Sequence, residues 1–441
     1  MLKRKITDQL LAWKDSPSRK CLMIRGARQV GKTWAVRDFG KNYSCFVEIN
    51  FIENPDYRRI FAGALDTDSL LLNFSAYLPG QRLVPGETLI LLDEIQDCPE
   101  ALASLKFWKE DGRFDVIATG STLGIDVKAS TSYPVGSVTD LHMHSLDFEE
   151  FLWANGILSD VVDTLRDCFS RKREVPLPLH DRIMRYLREY MIVGGMPEVV
   201  QTYVNTRNLR EADGVQRQIY ADYIHNIAHY APPDIRVRTE RCYRSIPLQL
   251  AKENHKFQYK VVENRSTSTK YESCLDWLLK SDMITMVHRV EQITFPLNAI
   301  REEDHFRVYP TDIGLLIAAY PFLIKGALLE DPSLEQASAN LSVGSAKGGL
   351  YEALAADMLI KRGYQELFFL KDQKSTREVE FIITNEDGII PIEIKAGRNK
   401  ANSLGHLLEN PAIPYGYKLA SQNVGVSGKK VTLPLYMLMF L

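Results

Sequence analysis

Gly26-Ala27-Arg28-Gln29-Val30-Gly31-Lys32-Thr33 sets two glycines ahead of a lysine and a hydroxyl, filling every fixed position of the GxxxxGK[ST] pattern. Glycine lets a backbone approach an anion closely and turn with φ > 0, so that successive N–H groups face phosphate oxygens. A helix starting at the end of such a loop adds its positive N-terminus. On this reading Gly26, Ala27, Arg28, Gln29, Val30 and Gly31 cradle the phosphates of ATP, Lys32 contacts the β and γ phosphates, and Thr33 ligates Mg²⁺. Further on, Leu89-Ile90-Leu91-Leu92-Asp93-Glu94 presents four apolar residues and then two carboxylates. The acids emerge where a buried parallel strand ends, so Asp93 is expected to hold Mg²⁺ and Glu94 to polarise the attacking water. Thr119-Gly120-Ser121 ends the next core run; either hydroxyl can face the γ phosphate, and Ser121 is counted among the nucleotide-binding residues. An ordinary turn and a solvated strand end explain these residues less well, because both halves of the site occur in order on the expected elements.

The elements that must position these groups read as a parallel α/β sheet. Short apolar runs at Cys21 to Ile24, Cys45 to Phe51, Leu89 to Leu92 and Val116 to Ala118 alternate with longer helical stretches. Leu141 to Leu146 is a further strand, and Asp147 caps a helix through Phe148-Glu149-Glu150-Phe151-Leu152, so the first domain is taken as residues 1–160. Residues 161–325 read as mostly helical, broken by Val193-Gly194-Gly195-Met196-Pro197. A helix from Ser266 to Lys280, with Tyr271, Leu275, Leu278 and Leu279 on its apolar side, precedes strands at Ile284 to Val290 and His305 to Tyr309, which is the order of a winged helix. Lys256, Lys260, Arg265, Lys270, Arg289 and Arg307 are its candidate DNA-phosphate contacts, although Glu253, Glu263 and Glu272 dilute them toward a plain solvated face. Gly326 to Lys347 reads as a linker into a final α/β unit, residues 326–441. That unit opens with a helix at Leu350 to Arg362 and continues with strands at Leu367 to Leu370, Val379 to Thr384 and Ile389 to Ile394, the last two joined at Asn385-Glu386-Asp387-Gly388.

A chain of 441 residues exceeds what one core supports, so two or three domains are expected. The net charge of −2 excludes a globally basic nucleic-acid coat while leaving room for a local basic patch. Cys21, Cys45, Cys98, Cys168, Cys242 and Cys274 lie far apart with no CxxC pair, so they read as free thiols. Neither a signal-peptide core nor an apolar stretch of the ~20 residues a membrane helix needs is seen, and the expected compartment is the cytoplasm, with no membrane partner.

These residues together resemble a family of bacterial and archaeal AAA-type ATPases, related to the STAND class, that join a P-loop domain to a winged helix and a C-terminal domain of the PD-(D/E)XK nuclease superfamily. The resemblance rests on Arg25 to Thr33, Leu92-Asp93-Glu94-Ile95-Gln96, Thr119-Gly120-Ser121, Leu146 to Leu152, Gly194-Gly195-Met196-Pro197-Glu198 and Pro391-Ile392-Glu393-Ile394-Lys395-Ala396-Gly397, and covers nearly the whole chain. It implies three successive folds: a P-loop sheet domain, a helical winged-helix domain, and a restriction-endonuclease-like α/β domain. Many members carry an arginine after the glycine where this chain has Gly136-Ser137. Whether a second copy in a homo-oligomer supplies that charge stays open.

In the last unit Glu352 lies on the opening helix, Glu380 on one strand, and Glu393 and Lys395 on one face of the next. This is the order of a metal-dependent nuclease, with Glu352, Glu380 and Glu393 as metal ligands and Glu393 and Lys395 as catalytic groups. The same residues also suit an ion-pair network in a domain that only binds, and Glu380 is one methylene longer than the usual aspartate. Two functions of different class follow: an ATPase whose cycle acts on DNA, or a nucleotide-controlled switch that cuts nothing.

Overall fold

The apolar runs before residue 120 close into one sheet whose central strands are buried on both faces, as parallel strands covered by helices are, while the strand Cys45–Asn50 lies on an edge and buries only Val47 and Ile49. The computed structural model describes residues 2–121, 134–252, 254–264, 267–329, 344–372, 378–395 and 402–441. Among them the chain forms two compact units: Lys3–Ser145 with Lys280–Asp282, and Leu146–Leu279 with Met283–Leu441.

In the first unit α1 (Ile6–Asp15) buries Ile6, Leu10 and Trp13, three positions on one helical face. Strands β1 (Cys21–Arg25), β2 (Cys45–Asn50), β3 (Thr88–Asp93), β4 (Asp115–Thr119) and β5 (Val138–His142) form a sheet of order β2-β3-β4-β1-β5 in which every pair is parallel. Helices α2 (Lys32–Gly40), α3 (Thr67–Tyr77) and α4 (Pro99–Asp111) lie between the strands in sequence. A chain of edge-to-face rings, Phe51, Phe61, Phe74, Trp108 and Phe114, runs through the core with centroid separations of 5.7, 6.0, 6.0 and 5.9 Å. Each such pair adds about 0.5–1.5 kcal/mol beyond its area. The fifth strand differs from the expected Leu141 to Leu146: it lies on an edge, where Thr139 and Asp140 stay exposed, so no apolar run announces it.

The second unit begins at Leu146, earlier than the expected boundary at 160. Asp147 caps the helix Phe148–Ala154 in a reciprocal box with Glu150. Helices Ser159–Ser170, Leu177–Val193, Pro197–Thr206, Leu209–Tyr230, Arg236–Leu250 and Ser268–Lys280 follow. The remaining strands are β6 (Ile284–Val290), β7 (Arg301–Pro310), β8 (Leu367–Lys371), β9 (Glu378–Asn385), β10 (Gly388–Ile394), β11 (Gly416–Ala420), β12 (Gly425–Ser427) and β13 (Lys430–Pro434). They form one mixed sheet of order β12-β13-β11-β10-β9-β8-β6-β7. The hairpin expected to be a wing is therefore part of the C-terminal sheet, because β6 pairs in parallel with β8. The contacts do not separate residues 161–325 from 326–441. The expected linker falls partly on residues 330–343, outside the described ones, and its flanks lie in helices Phe322–Leu329 and Gly344–Lys361.

A buried ion cluster ties these pieces together. Lys361 Nζ lies 2.8 Å from Asp357 and 3.3 Å from Asp312 and donates to Tyr190 Oη at 3.0 Å. Asp312 also accepts from the backbone N–H groups of Gly195 and Gly314, both at 2.9 Å. Here the Gly194-Gly195 bend finds its reason. Gly194 has φ +73°, and a Cβ there would sit 2.4 Å from Asp312 Oδ1 and 2.6 Å from the Gly314 Cα.

Candidate functional site

β1 delivers the chain to the glycine loop beside β5, whose continuation at Met143 donates its N–H to the Arg25 carbonyl at 2.8 Å. Gly26 turns away with φ +149°, and a Cβ there would meet the Met143 carbonyl oxygen at 2.1 Å, so any side chain is excluded. Gln29 and Gly31 are left-handed as well, with φ 61° and 94°. Gly31 is the N-cap of α2, and its carbonyl accepts from Ala35 N–H at 2.9 Å. The loop is braced from behind by Arg4, which is buried and donates to the carbonyls of Val30 (3.0 Å) and His144 (2.7 Å). Buried Lys32 Nζ donates to the carbonyls of Gly26 (2.9 Å) and Ala27 (2.7 Å). Burial pushes its ammonium down to about 8, against the pull of Glu94 and Asp93.

Asp93 ends β3 with 3% of its surface exposed, and three neighbouring elements supply donors to it. Thr33 Oγ1 lies 3.0 Å from both carboxylate oxygens, Asn50 Nδ2 donates at 2.9 Å, and the Thr119 hydroxyl donates to Oδ1. Register explains this. Asn50 pairs with Asp93 across β2 and β3, and Leu92 pairs with Ala118, so Thr119 ends β4 alongside. Burial raises the Asp93 carboxyl, with the Thr119 and Thr33 hydroxyls pulling the other way. Glu94 follows in a left-handed conformation, φ 54°, half-buried, and accepts from the Gln96 amide.

The expected residues Gly26 to Thr33, Asp93 and Glu94 thus converge at the carboxyl ends of β1, β3 and β4. Of the two hydroxyls expected at the end of β4, that of Thr119 reaches Asp93, while Ser121 lies two residues beyond the strand. No role was anticipated for Asn50, Gln96 or Arg4; Gln96 closes a segment that carries the family resemblance, and Asn50 is a polar residue inside the apolar run from Cys45 to Phe51. Two hard oxygen groups, Thr33 and Asp93, beside a loop of inward-turned backbone suit Mg²⁺ together with nucleotide phosphates.

The second constellation divides. Ile392 pairs with Phe381, so Glu393 and Glu380 come next to each other on adjacent antiparallel strands. Lys395 Nζ sits 3.2 Å from Glu393 and 3.6 Å from Glu380, and Glu380 also accepts from the Ile394 N–H at 2.9 Å. Burial lifts the Glu380 carboxyl to about 7, against Lys395. Glu352 is engaged elsewhere: its Oε2 accepts from Arg307 (2.8 Å), His255 (2.9 Å) and Tyr309 (2.9 Å). Burial would raise the Glu352 carboxyl, but Arg307 and His255 hold it at about 2. The three expected metal ligands do not form one coordinating group, and among the described residues no cluster of three or more His, Cys, Asp or Glu is disposed to hold a metal ion.

The expected DNA-phosphate contacts thin out in the same way. Arg307 and Arg289 are buried and ion-paired, Arg289 with Glu302 and Glu291, and Lys270 pairs with Glu263. Arg265 lies outside the described residues, Lys256 is half-buried, and Lys260 is exposed. All six cysteines are free thiols, and among the described residues no helix is long and apolar enough to cross a membrane.

Comparison with known proteins bears on each part. Residues 18–152 match the family model described as AAA domain, while residues 184–325 and 347–434 match two models described as domains of unknown function, DUF8612 and DUF4143. No curated protein matches the chain. Among solved structures, the Walker-type ATPase Paby2304 of Pyrococcus abyssi aligns with 72% of this chain and 96% of its own, at 14% identity and a TM-score of 0.43. The Aeropyrum pernix ORC1 protein in complex with DNA aligns with 76% and 94%, at 12% identity and a TM-score of 0.30. Cdc6p from Pyrobaculum aerophilum aligns with 74% and 92%, at 12% identity and a TM-score of 0.24. The match to an AAA domain over residues 18–152 takes in the glycine loop, Lys32, Asp93 and Glu94.

Proposed function

We propose that this chain hydrolyses ATP with Mg²⁺ at the site formed by Lys32, Thr33, Asp93 and Glu94, and that its nucleotide cycle acts on DNA bound by the second unit. One observation carries the first half: Thr33 and Asp93 meet at 3.0 Å beneath the glycine loop, and Glu94 follows directly. In this reading Thr33 and Asp93 hold Mg²⁺, which neutralises charge on the phosphates when bound. Lys32 and the loop N–H groups orient the phosphates, Asn50 and Thr119 hold the Asp93 carboxylate in place, and Glu94 takes a proton from the attacking water. Support for DNA is narrower and comes from the family resemblance and from exposed Lys260 with half-buried Lys256. A second copy supplying an arginine would complete the site.

A second reading has its own observation. The Gln96 amide holds Glu94, and Ser137 stands where resembling chains carry arginine, which suits a nucleotide switch of negligible turnover. Phosphate release with and without Mg²⁺ and DNA decides between them. The first reading expects Glu94→Gln to keep ATP affinity and to lose about 10²–10⁴-fold in turnover. Wild-type protein that binds ATP tightly and releases no phosphate under any condition would establish the switch.

A further inference from the structure

Asp282 stands where the local chain favours another residue. It follows the helix Ser268–Lys280 in a left-handed conformation, φ 55°, and the next N–H, that of Met283, turns back to the Leu278 carbonyl at 3.1 Å. This is a helix-closing turn in which glycine or asparagine is usual, because a Cβ is strained there. A carboxylate at that end also opposes the helix dipole, which Lys280 complements and Asp282 does not.

The reason for an acid lies in what the turn faces. Lys280–Asp282 folds with Lys3–Ser145, the unit that holds the glycine loop. The Asp282 carboxylate is 3.5 Å from Nε2 of His142, the last residue of β5. His142 pairs with Arg25 across β5 and β1, and Met143, which follows it, sets its carbonyl against Gly26. The His142 ring stacks at 4.3 Å on that of His144, whose carbonyl accepts from Arg4 behind the loop. A third carboxylate thus stands on the phosphate side of a unit where Asp93 and Glu94 already supply two. Its field reaches Lys32: burial lowers that ammonium, and Glu94, Asp93 and then Asp282 pull it back up. An exposed histidine at 3.5 Å compensates such a charge only weakly.

We propose that Asp282 is an internal counter-charge to the phosphates of ATP, so that nucleotide binds against its field and the turn after Lys280 sets the affinity of the site. The role rests on the ATP site proposed above and gives that site its own control. The penalty grows with the charge a nucleotide brings, so ATP is held back more than ADP. Asparagine at the same position would keep the size of the side chain and tolerate the left-handed backbone while removing the charge.

Calorimetric titration of the full-length protein with ATP and with ADP, both with Mg²⁺, tests this. Asp282→Asn is expected to bind ATP roughly three- to tenfold more tightly than wild type at low salt, and to gain less for ADP. The gain shrinks as ionic strength rises from about 0.05 to about 0.5 M, because a gap filled by solvent screens it. Asp282→Gly, which suits the turn and also lacks the charge, is expected to match Asp282→Asn, and it decides should the asparagine variant fail to fold. Variants that bind ATP as wild type does, or that gain equally for ATP and ADP at every salt concentration, overturn the proposal and leave Asp282 a turn residue. Wild type that binds neither nucleotide removes the ATP site itself, and this role with it.

Discussion

The depressed ammonium of Lys32 makes ATP affinity a function of pH, with a sign and size that follow from burial. An ordinary lysine keeps its proton to about 10.5, but Lys32 is pushed down to about 8, chiefly because it is taken out of water. The charge that binds phosphate is therefore about nine-tenths present at pH 7 and about one-tenth at pH 9 in the free protein. If bound phosphates restore the proton, the dissociation constant for ATP rises roughly tenfold between pH 7 and pH 9. Fluorescence of Trp34, exposed and directly after Thr33, gives a direct reading of the titration. Lys32→Arg should flatten the curve, because a guanidinium stays charged throughout. Stability of the nucleotide-free protein runs the other way. Between about 8 and 10.5 the unfolded chain holds a proton that folded Lys32 has released, so stability rises with pH across that window and the gain is absent in Lys32→Met. Wild-type affinity that is flat from pH 7 to 9, or as steep in Lys32→Arg, would refute the reasoning.

Other perturbations test other contacts. Thr119→Val removes a donor from buried Asp93 and should cost about 1.5–3 kcal/mol, read as a lower melting temperature that Thr119→Ser restores. Gly26→Ala forces a Cβ against the Met143 carbonyl, so calorimetry should find weakened ATP binding. Lys361→Met strands Asp357 and Asp312 in the interior and should lower stability by about 3–5 kcal/mol in chemical denaturation, with Lys361→Met plus Asp357→Asn recovering part of it.

The nucleotide site was legible because its chemistry is local. Gly26 to Thr33 are contiguous, and Asp93-Glu94 mark the end of a wholly buried strand, so type and order were enough. What escaped depends on register and distant contact. Asn50 matters because β2 and β3 align it with Asp93, and Thr119 outranks Ser121 because β4 ends beside that carboxylate. In the second unit β6 and β8 to β10 were readable as apolar runs, but the parallel pairing of Val287 with Leu367 leaves no mark in either segment. Arg307 looked like a surface cation for DNA and is a buried partner of Glu352, since charge alone does not say whether a carboxylate waits across the sheet. Strands β11 to β13 lie among glycines, lysines and asparagines, with only short apolar stretches to mark them.

The insertion of β6 and β7 into a sheet completed by later strands has a consequence during synthesis. At roughly 5–20 residues per second, the ribosome needs several seconds to more than ten to pass from Val290 to Leu370, and longer to reach β13. Throughout that interval the unpaired edge of β6 carries Ile284, Val287 and Val290 with no strand to cover it. The first unit draws all five of its strands from residues before 143 and can fold while this wait continues. A nascent chain stalled between residues 311 and 360 should therefore bind nucleotide and at the same time recruit a chaperone.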